Sequence, residues 1–207
     1  MSVSAVPRVE LVKLRPELLD AAAGVLARGM RDNPIHVAAF GPDPQRRARI
    51  LVRMFSDLFR VLPGYHAMCA RMDGEIVAVA GRAEGGACMP GALQKLRLAP
   101  GLLSLGPRTA VRSSRWMSAW SARDPEDPHS HFGPFAVDPH LQGQGIGTVL
   151  LRDYCAGVNA GGEVAYLETD RAENVRLYER HGFAVVEQAD VLGLPNWFMR
   201  RPARASA

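Results

Sequence analysis

The segment Gln142-Gly143-Gln144-Gly145-Ile146-Gly147-Thr148 constrains this chain more than any other. It follows residues 132–137, which read as a strand. It precedes Ile146, Val149, Leu150, Tyr154 and Val158, which stripe one face of a helix. A strand–loop–helix turn of this kind points several backbone N–H groups, with the positive end of the helix dipole, at one spot. Glycines keep side chains away from those amides, so an anionic group fits there, above all a pyrophosphate.

Two nucleotide-binding patterns fail at this loop. A Walker loop ends Gly-Lys-Ser/Thr, whereas Gly147 is followed by Thr148 and Val149. The dinucleotide fingerprint is nearer, because Glu168 ends the next strand at about the distance where its acidic residue belongs. Its glycines are spaced differently, however, its turn leaves the strand tightly, and too little chain follows Gly147 for a doubled nucleotide fold.

The rest of the chain supplies a mixed α/β pattern. Residues 9–14 alternate like a strand. Pro16 then opens a helix striped by Leu18, Leu19, Ala22, Leu26 and Met30, which Asp32-Asn33-Pro34 should break. A second helix is expected from Asp43-Pro44, a cap followed by a proline, and Arg46, Arg47 and Arg49 read as its solvated face. Two helices should therefore precede the main sheet. Residues 65–71 and 75–84 form a hairpin about Asp73-Gly74. Residues 85–128 predict one or two short helices and a loop, with Trp116 and Trp120 on one helix face. After the glycine loop and its helix come a strand at 164–169, a helix at 172–181 closed by Gly182, and strands at 183–188 and 197–201.

Composition narrows the classes. The chain has 207 residues, is 47% hydrophobic, and mixes both signs of charge to a net +4, so one domain with an ordinary core is expected. No basic run with interleaved aromatics argues for nucleic acid. No stretch is apolar enough to span or anchor in a membrane, and a cytoplasmic protein is the reading. Cys69, Cys88 and Cys155 lack CxxC spacing, and the six histidines lack metal-ligand spacing with the acids, so neither a disulfide framework nor a metal is expected.

The segment FAVDPHLQGQGIGTVLL resembles the GCN5-related N-acetyltransferase (GNAT) family, which has Q/R-x-x-G-x-G/A after a strand of this type. YLETDRAENVRLYERHGF is similar to a later motif of the same family, and looks most like its branch containing puromycin N-acetyltransferase. The resemblance is clear over 131–201. It implies a GNAT-like α/β fold, with a mixed, mostly antiparallel sheet whose central strands splay and are flanked by helices. It implies acetyl-CoA as co-substrate, its pyrophosphate gripped by Gln142, Gly143, Gln144, Gly145, Ile146, Gly147 and Thr148. Phe135, Ala136 and Val137 would pair with the pantetheine arm, Asn174 would bond it, and Tyr178 would sit beside the thiol and protonate it as it leaves. Residues 14–128 would shape the acceptor site within a single domain of 1–207.

Acetyl transfer to an amine needs a neutral amine, a polarised thioester and a proton for the departing thiolate. Tyr178 is the candidate acid. Glu168, on a strand end, and His131, opening the splayed strand, are candidate bases, with His129 and Asp170 behind them. Cys155, on a polar helix edge, reads as structural, and Trp116, Trp120 and Phe55 as core or acceptor-site walls. The expected activity is direct transfer of acetyl to a primary amine of a small molecule, by a monomer or homodimer. The alternatives are a non-catalytic acyl-CoA-binding regulatory module and an acetyltransferase of protein amines.

Overall fold

The computed structural model describes residues 8–84 and 90–203; Cys88 lies outside them. Strand β1 (Glu10–Lys13) leads through a 3-10 turn opened by Pro16 into α1 (Leu19–Met30). Ala22, Ala23, Val25, Leu26 and Ala27 give α1 its buried face.

Pro34 ends one helix and begins another. Helix α2 (Pro34–Phe40) was not expected, so three helices, not two, precede the hairpin among the described residues. Proline cannot continue α1 but suits the first position of a new helix. The new helix is completed from far away, where Ile35 N–H donates to the carboxylate of Asp170 at 2.7 Å. Helix α3 (Pro44–Val61) is capped as the sequence predicts, the Asp43 carboxylate accepting from the Gln45 and Arg46 amides. Its arginines are not all solvated. Arg47 is buried, held by Asp32 (2.6 Å) and the carbonyls of Arg31 and Gly41, and half-buried Arg46 donates to the carbonyls of Phe40 and Leu105. Only Arg49 of the three is exposed. A guanidinium needs several acceptors to be buried, and the turns before α2 and α3 provide them.

Strands β2 (Tyr65–Met72) and β3 (Glu75–Ala83) form the expected hairpin, with positive φ at Asp73 and Gly74 as a tight primed turn requires. Helices α4 (Ala92–Leu103) and α5 (Pro107–Ser121) follow, and Trp116 meets Trp120 edge-on at 5.2 Å. The remaining order is β4 (Ser130–Val137), α6 (Ile146–Ala160), β5 (Ala165–Thr169), α7 (Ala172–Glu179), β6 (Ala184–Val191) and β7 (Leu194–Arg201).

Seven strands among the described residues make one sheet, in the order β1-β2-β3-β4-β5-β7-β6. On one face Leu26, Ile35, Phe40, Leu51, Phe55 and Trp116 from α1, α2, α3 and α5 cover Tyr166 and Phe198. On the other, Leu150, Leu151 and Val158 of α6 and Tyr178 of α7 cover Phe132, Leu167 and Met199. Cys155 is buried in this second layer rather than lying on a polar edge. No helix among the described residues is long and apolar enough to cross a membrane.

Every strand pair is antiparallel except β4 and β5. These two run parallel and pair only at Ser130↔Ala165 and His131↔Tyr166, then diverge. Beyond that point β4 stays on β3 alone, with Phe135, Ala136 and Val137 opposite Ala80, Val79 and Ala78. The register slips opposite Gly81, where a Cβ would lie 2.7 Å from the carbonyl oxygen of Gly133. The expected mixed, splayed sheet is the one observed.

Candidate active site

The split between β4 and β5 opens toward the carboxyl ends of both strands, where the chain enters the glycine loop. Backbone groups alternate sides along a strand, so half of those in residues 132–137 face the side that β5 has left. Phe135, Ala136 and Val137 thus offer an unladdered edge.

At the open end, α6 begins on Gly145, whose φ of +85° is left-handed, and no side chain caps it. Gly143 has φ +78°. Both conformations disfavour a residue with a Cβ. The first turn of a helix has N–H groups without intrahelical partners, so Ile146, Gly147 and Thr148 present amides there. A Cβ on Gly147 would come within 3.1 Å of the Phe135 ring and 3.3 Å of Val137, so glycine lets the helix start lie against β4. The Gln142 side chain folds back to donate to the Val137 carbonyl at 3.1 Å, and Gln144 is exposed. Asp138, after β4, is held by Arg28 (2.5 Å) and His140 (2.7 Å). Burial alone would raise its carboxyl, but bonds to Arg28 and then His140 outweigh burial and keep it below its ordinary value.

At the closed end the fold joins the two candidate bases. His131 Nε2 lies 2.8 Å from Glu168 Oε2, and their side chains are 16% and 4% exposed. His131 and Tyr166 sit edge to face, with ring centroids 5.4 Å apart. The sequence reading missed Asp124. Its Oδ1 lies 3.2 Å from His131 Nδ1 and 3.4 Å from His129 Nε2. The available signal was His129-Ser130-His131, two residues apart and so on one side of a strand, with an acidic loop just before them. The histidines lack metal-ligand spacing with the acids along the sequence, yet the fold brings one ligand atom each of Asp124, His129 and His131 within 4.8 Å of one another. Asp170 does not join this group, being committed to the start of α2.

Tyr178 lies across the sheet from His131, in the α6–α7 layer. Its ring stands 6.2 Å from Phe132, the first residue of β4 past the paired segment, and 5.9 Å from Phe183. Burial, with a smaller contribution from Asp170, pushes its hydroxyl well above the ordinary tyrosine value of about 10. Asn174, one turn earlier on α7, donates to Thr169 Oγ1 at 3.4 Å.

A sheet split between two parallel strands, with bare amides at the open end and ionisable groups at the closed one, defines an acetyltransferase-type α/β domain. Residues 117–185 match the model of the acetyltransferase (GNAT) domain, and the fold is of the GNAT type. The fold recurs in a histone acetyltransferase HPA2 and related acetyltransferase from Corynebacterium glutamicum (TM-score 0.72, 22% identity, 96% of this chain and 98% of that one). It recurs in arylalkylamine N-acetyltransferase 2 from Aedes aegypti (TM-score 0.65, 13% identity, 94% and 99%). The PaiA N-acetyltransferase from Thermoplasma acidophilum, solved with coenzyme A, shares it too (TM-score 0.57, 13% identity, 94% and 99%). At these identities the likeness is one of fold.

Proposed function

We propose that this protein transfers an acetyl group from acetyl-CoA to a primary amine of a small molecule by direct attack. The observation that carries the reading is the pair of β4 and β5, joined at residues 130–131 and parted beyond. The gap has bare amides at its mouth and His131 with Glu168 at its base.

The residues present fit the cofactor. The amides of 143–148 suit the pyrophosphate, with Gln142 and Gln144 at the rim, and the free edge of Phe135, Ala136 and Val137 suits the amides of the pantetheine arm. Asn174 is one helical turn from Tyr178 and completes the opposite wall. A thioester so held would lie near Phe132, with Tyr178 and His131 as the groups that would reach it from the two faces.

In the reaction the amine nitrogen bonds to the thioester carbon and the carbon–sulfur bond breaks. The amine proton passes to the Glu168–His131 pair, and the sulfur takes the proton of Tyr178. The two carboxylates beside His131 favour a cationic amine on approach, and contact between acid and imidazole gives its proton somewhere to go. Tyr178 is protonated at neutral pH like any tyrosine, and burial, which raises its hydroxyl further, suits it to steady the developing thiolate by a hydrogen bond until the proton follows.

The test is a panel of small amines and amino-terminal peptides incubated with acetyl-CoA, with release of free thiol followed by a thiol reagent. Turnover with small amines supports the reading. Turnover with peptides alone moves the acceptor class to protein amines, and CoA binding without turnover on either set replaces the enzyme by a binding module.

A further inference from the structure

The cluster at the start of β4 poses a problem in proton placement. His131 turns Nε2 toward the Glu168 carboxylate at 2.8 Å. His129 turns Nδ1 toward the backbone carbonyl of Asp127 at 2.9 Å. Carboxylates and carbonyls accept, so in one tautomer each of these outer nitrogens carries the hydrogen of a neutral imidazole. In that tautomer the inner nitrogens, His131 Nδ1 and His129 Nε2, present lone pairs, and both face the same oxygen of Asp124, at 3.2 and 3.4 Å. Three electron-rich atoms meet inside the protein, where the side chains of His129 and Asp124 are 2% and 12% exposed.

That arrangement is stable with a positive charge among the three atoms, supplied by protonated imidazole or by one metal ion. Two protons would make two adjacent imidazolium rings, with centroids 6.0 Å apart, and would pull the contacts toward the about 2.7–2.9 Å of charge-assisted hydrogen bonds. The observed 3.2 and 3.4 Å are longer. For these two of the three ligand pairs they match the separation of about 3.3 Å in a tetrahedral zinc site whose bonds are about 2.0–2.1 Å, and the third pair lies within 4.8 Å. The outer contacts agree as well, because a metal-binding histidine commonly gives its other N–H to a carboxylate or a backbone carbonyl, and here one does each.

We infer that Asp124 Oδ1, His129 Nε2 and His131 Nδ1 form a three-ligand site for a borderline divalent cation of the Zn2+ class. Two imidazoles and one carboxylate suit that class rather than Mg2+ or Ca2+. Glu168 is the positioning residue that fixes the tautomer of His131. The site shares His131, and Glu168 beside it, with the proposed acetyl transfer. A cation on His131 locks the imidazole and competes with the proton relay, so occupancy slows any transfer that uses the Glu168–His131 pair.

The test uses the full chain, stripped with a chelator and titrated with Co2+ as the probe. One Co2+ per chain is expected, with the visible absorption of a low-symmetry site, displaced by one equivalent of Zn2+. Asp124→Asn, nearly isosteric, and His129→Gln should each weaken binding at least about 100-fold. Glu168→Gln should weaken it by about 10- to 100-fold, as removal of an outer-shell partner does. Circular dichroism and melting curves show whether each variant folds, and Asp124→Asn alone suffices if His129→Gln does not. Absence of stoichiometric Co2+ binding, or binding unchanged in Asp124→Asn, overturns the site. Stoichiometric binding in a protein that acetylates nothing leaves the site standing and refutes the proposed function instead.

Discussion

His131 Nε2 and Glu168 Oε2 stand 2.8 Å apart across the two-residue ladder that joins β4 to β5. The contact places the two candidate bases together as one group at the point where the sheet splits. Single replacements Glu168→Gln and His131→Gln are each expected to lower kcat by about 10²- to 10⁴-fold, the usual contribution of a general base. The double variant should lose little more than either, because groups in contact are not additive. Steady-state kinetics on a chelated sample checks this, and additive losses would mean that the two act separately.

Replacing Tyr178 by Phe removes one hydroxyl from a ring already packed on Phe132 and Phe183. The expected loss is about 10²- to 10³-fold in kcat, with CoA affinity and melting temperature near wild type. Burial raises this hydroxyl above its ordinary value, so wild-type activity should show no decline from its ionisation up to about pH 10. A variant with the wild-type rate reduces Tyr178 to a packing residue.

A bulky β-branched residue at Gly145 would test the loop badly, since φ there is +85° and strain would mix with steric exclusion. Asparagine accepts that conformation better than other side chains do. Gly145→Asn should therefore keep a melting temperature within a few degrees of wild type, yet lose CoA binding by at least about tenfold in calorimetry. Undiminished CoA affinity would remove the loop from the cofactor site.

Acid stability should depend on Arg28. Asp138 titrates below its ordinary value, so the stability it provides is present above about pH 4 and is lost as pH falls through the folded value. In Arg28→Met the buried carboxyl loses its main partner, and burial drives its titration upward. The variant should melt below wild type at pH 7, and the gap should narrow as pH is lowered toward 3. A gap that stays constant in calorimetry would show that the Arg28–Asp138 pair is not coupled to folding.

The amino-acid order by itself determined the succession of strands and helices after residue 40 except over 85–128, where it left one or two short helices open and α4 and α5 run 12 and 15 residues. It also determined the hairpin at Asp73-Gly74, the cap at Asp43 and the bare loop from Gly143 to Gly147. Each rests on residues a few positions apart, where period, turn chemistry and positive φ act locally. Helix α2, buried Arg47 and the Asp124–His131–Glu168 contacts were decided only in three dimensions. Pro34 reads as a stop until Asp170, on a distant strand end, supplies the acceptor that lets a new helix start. Arg47 reads as solvated until the carbonyls of Arg31 and Gly41 turn toward it. The cluster forms because the register of β4 on β5 sets His131 beside Glu168 and the preceding loop returns Asp124 to the same spot. Sheet register and loop return are set by packing across the whole core, and no local spacing encodes them.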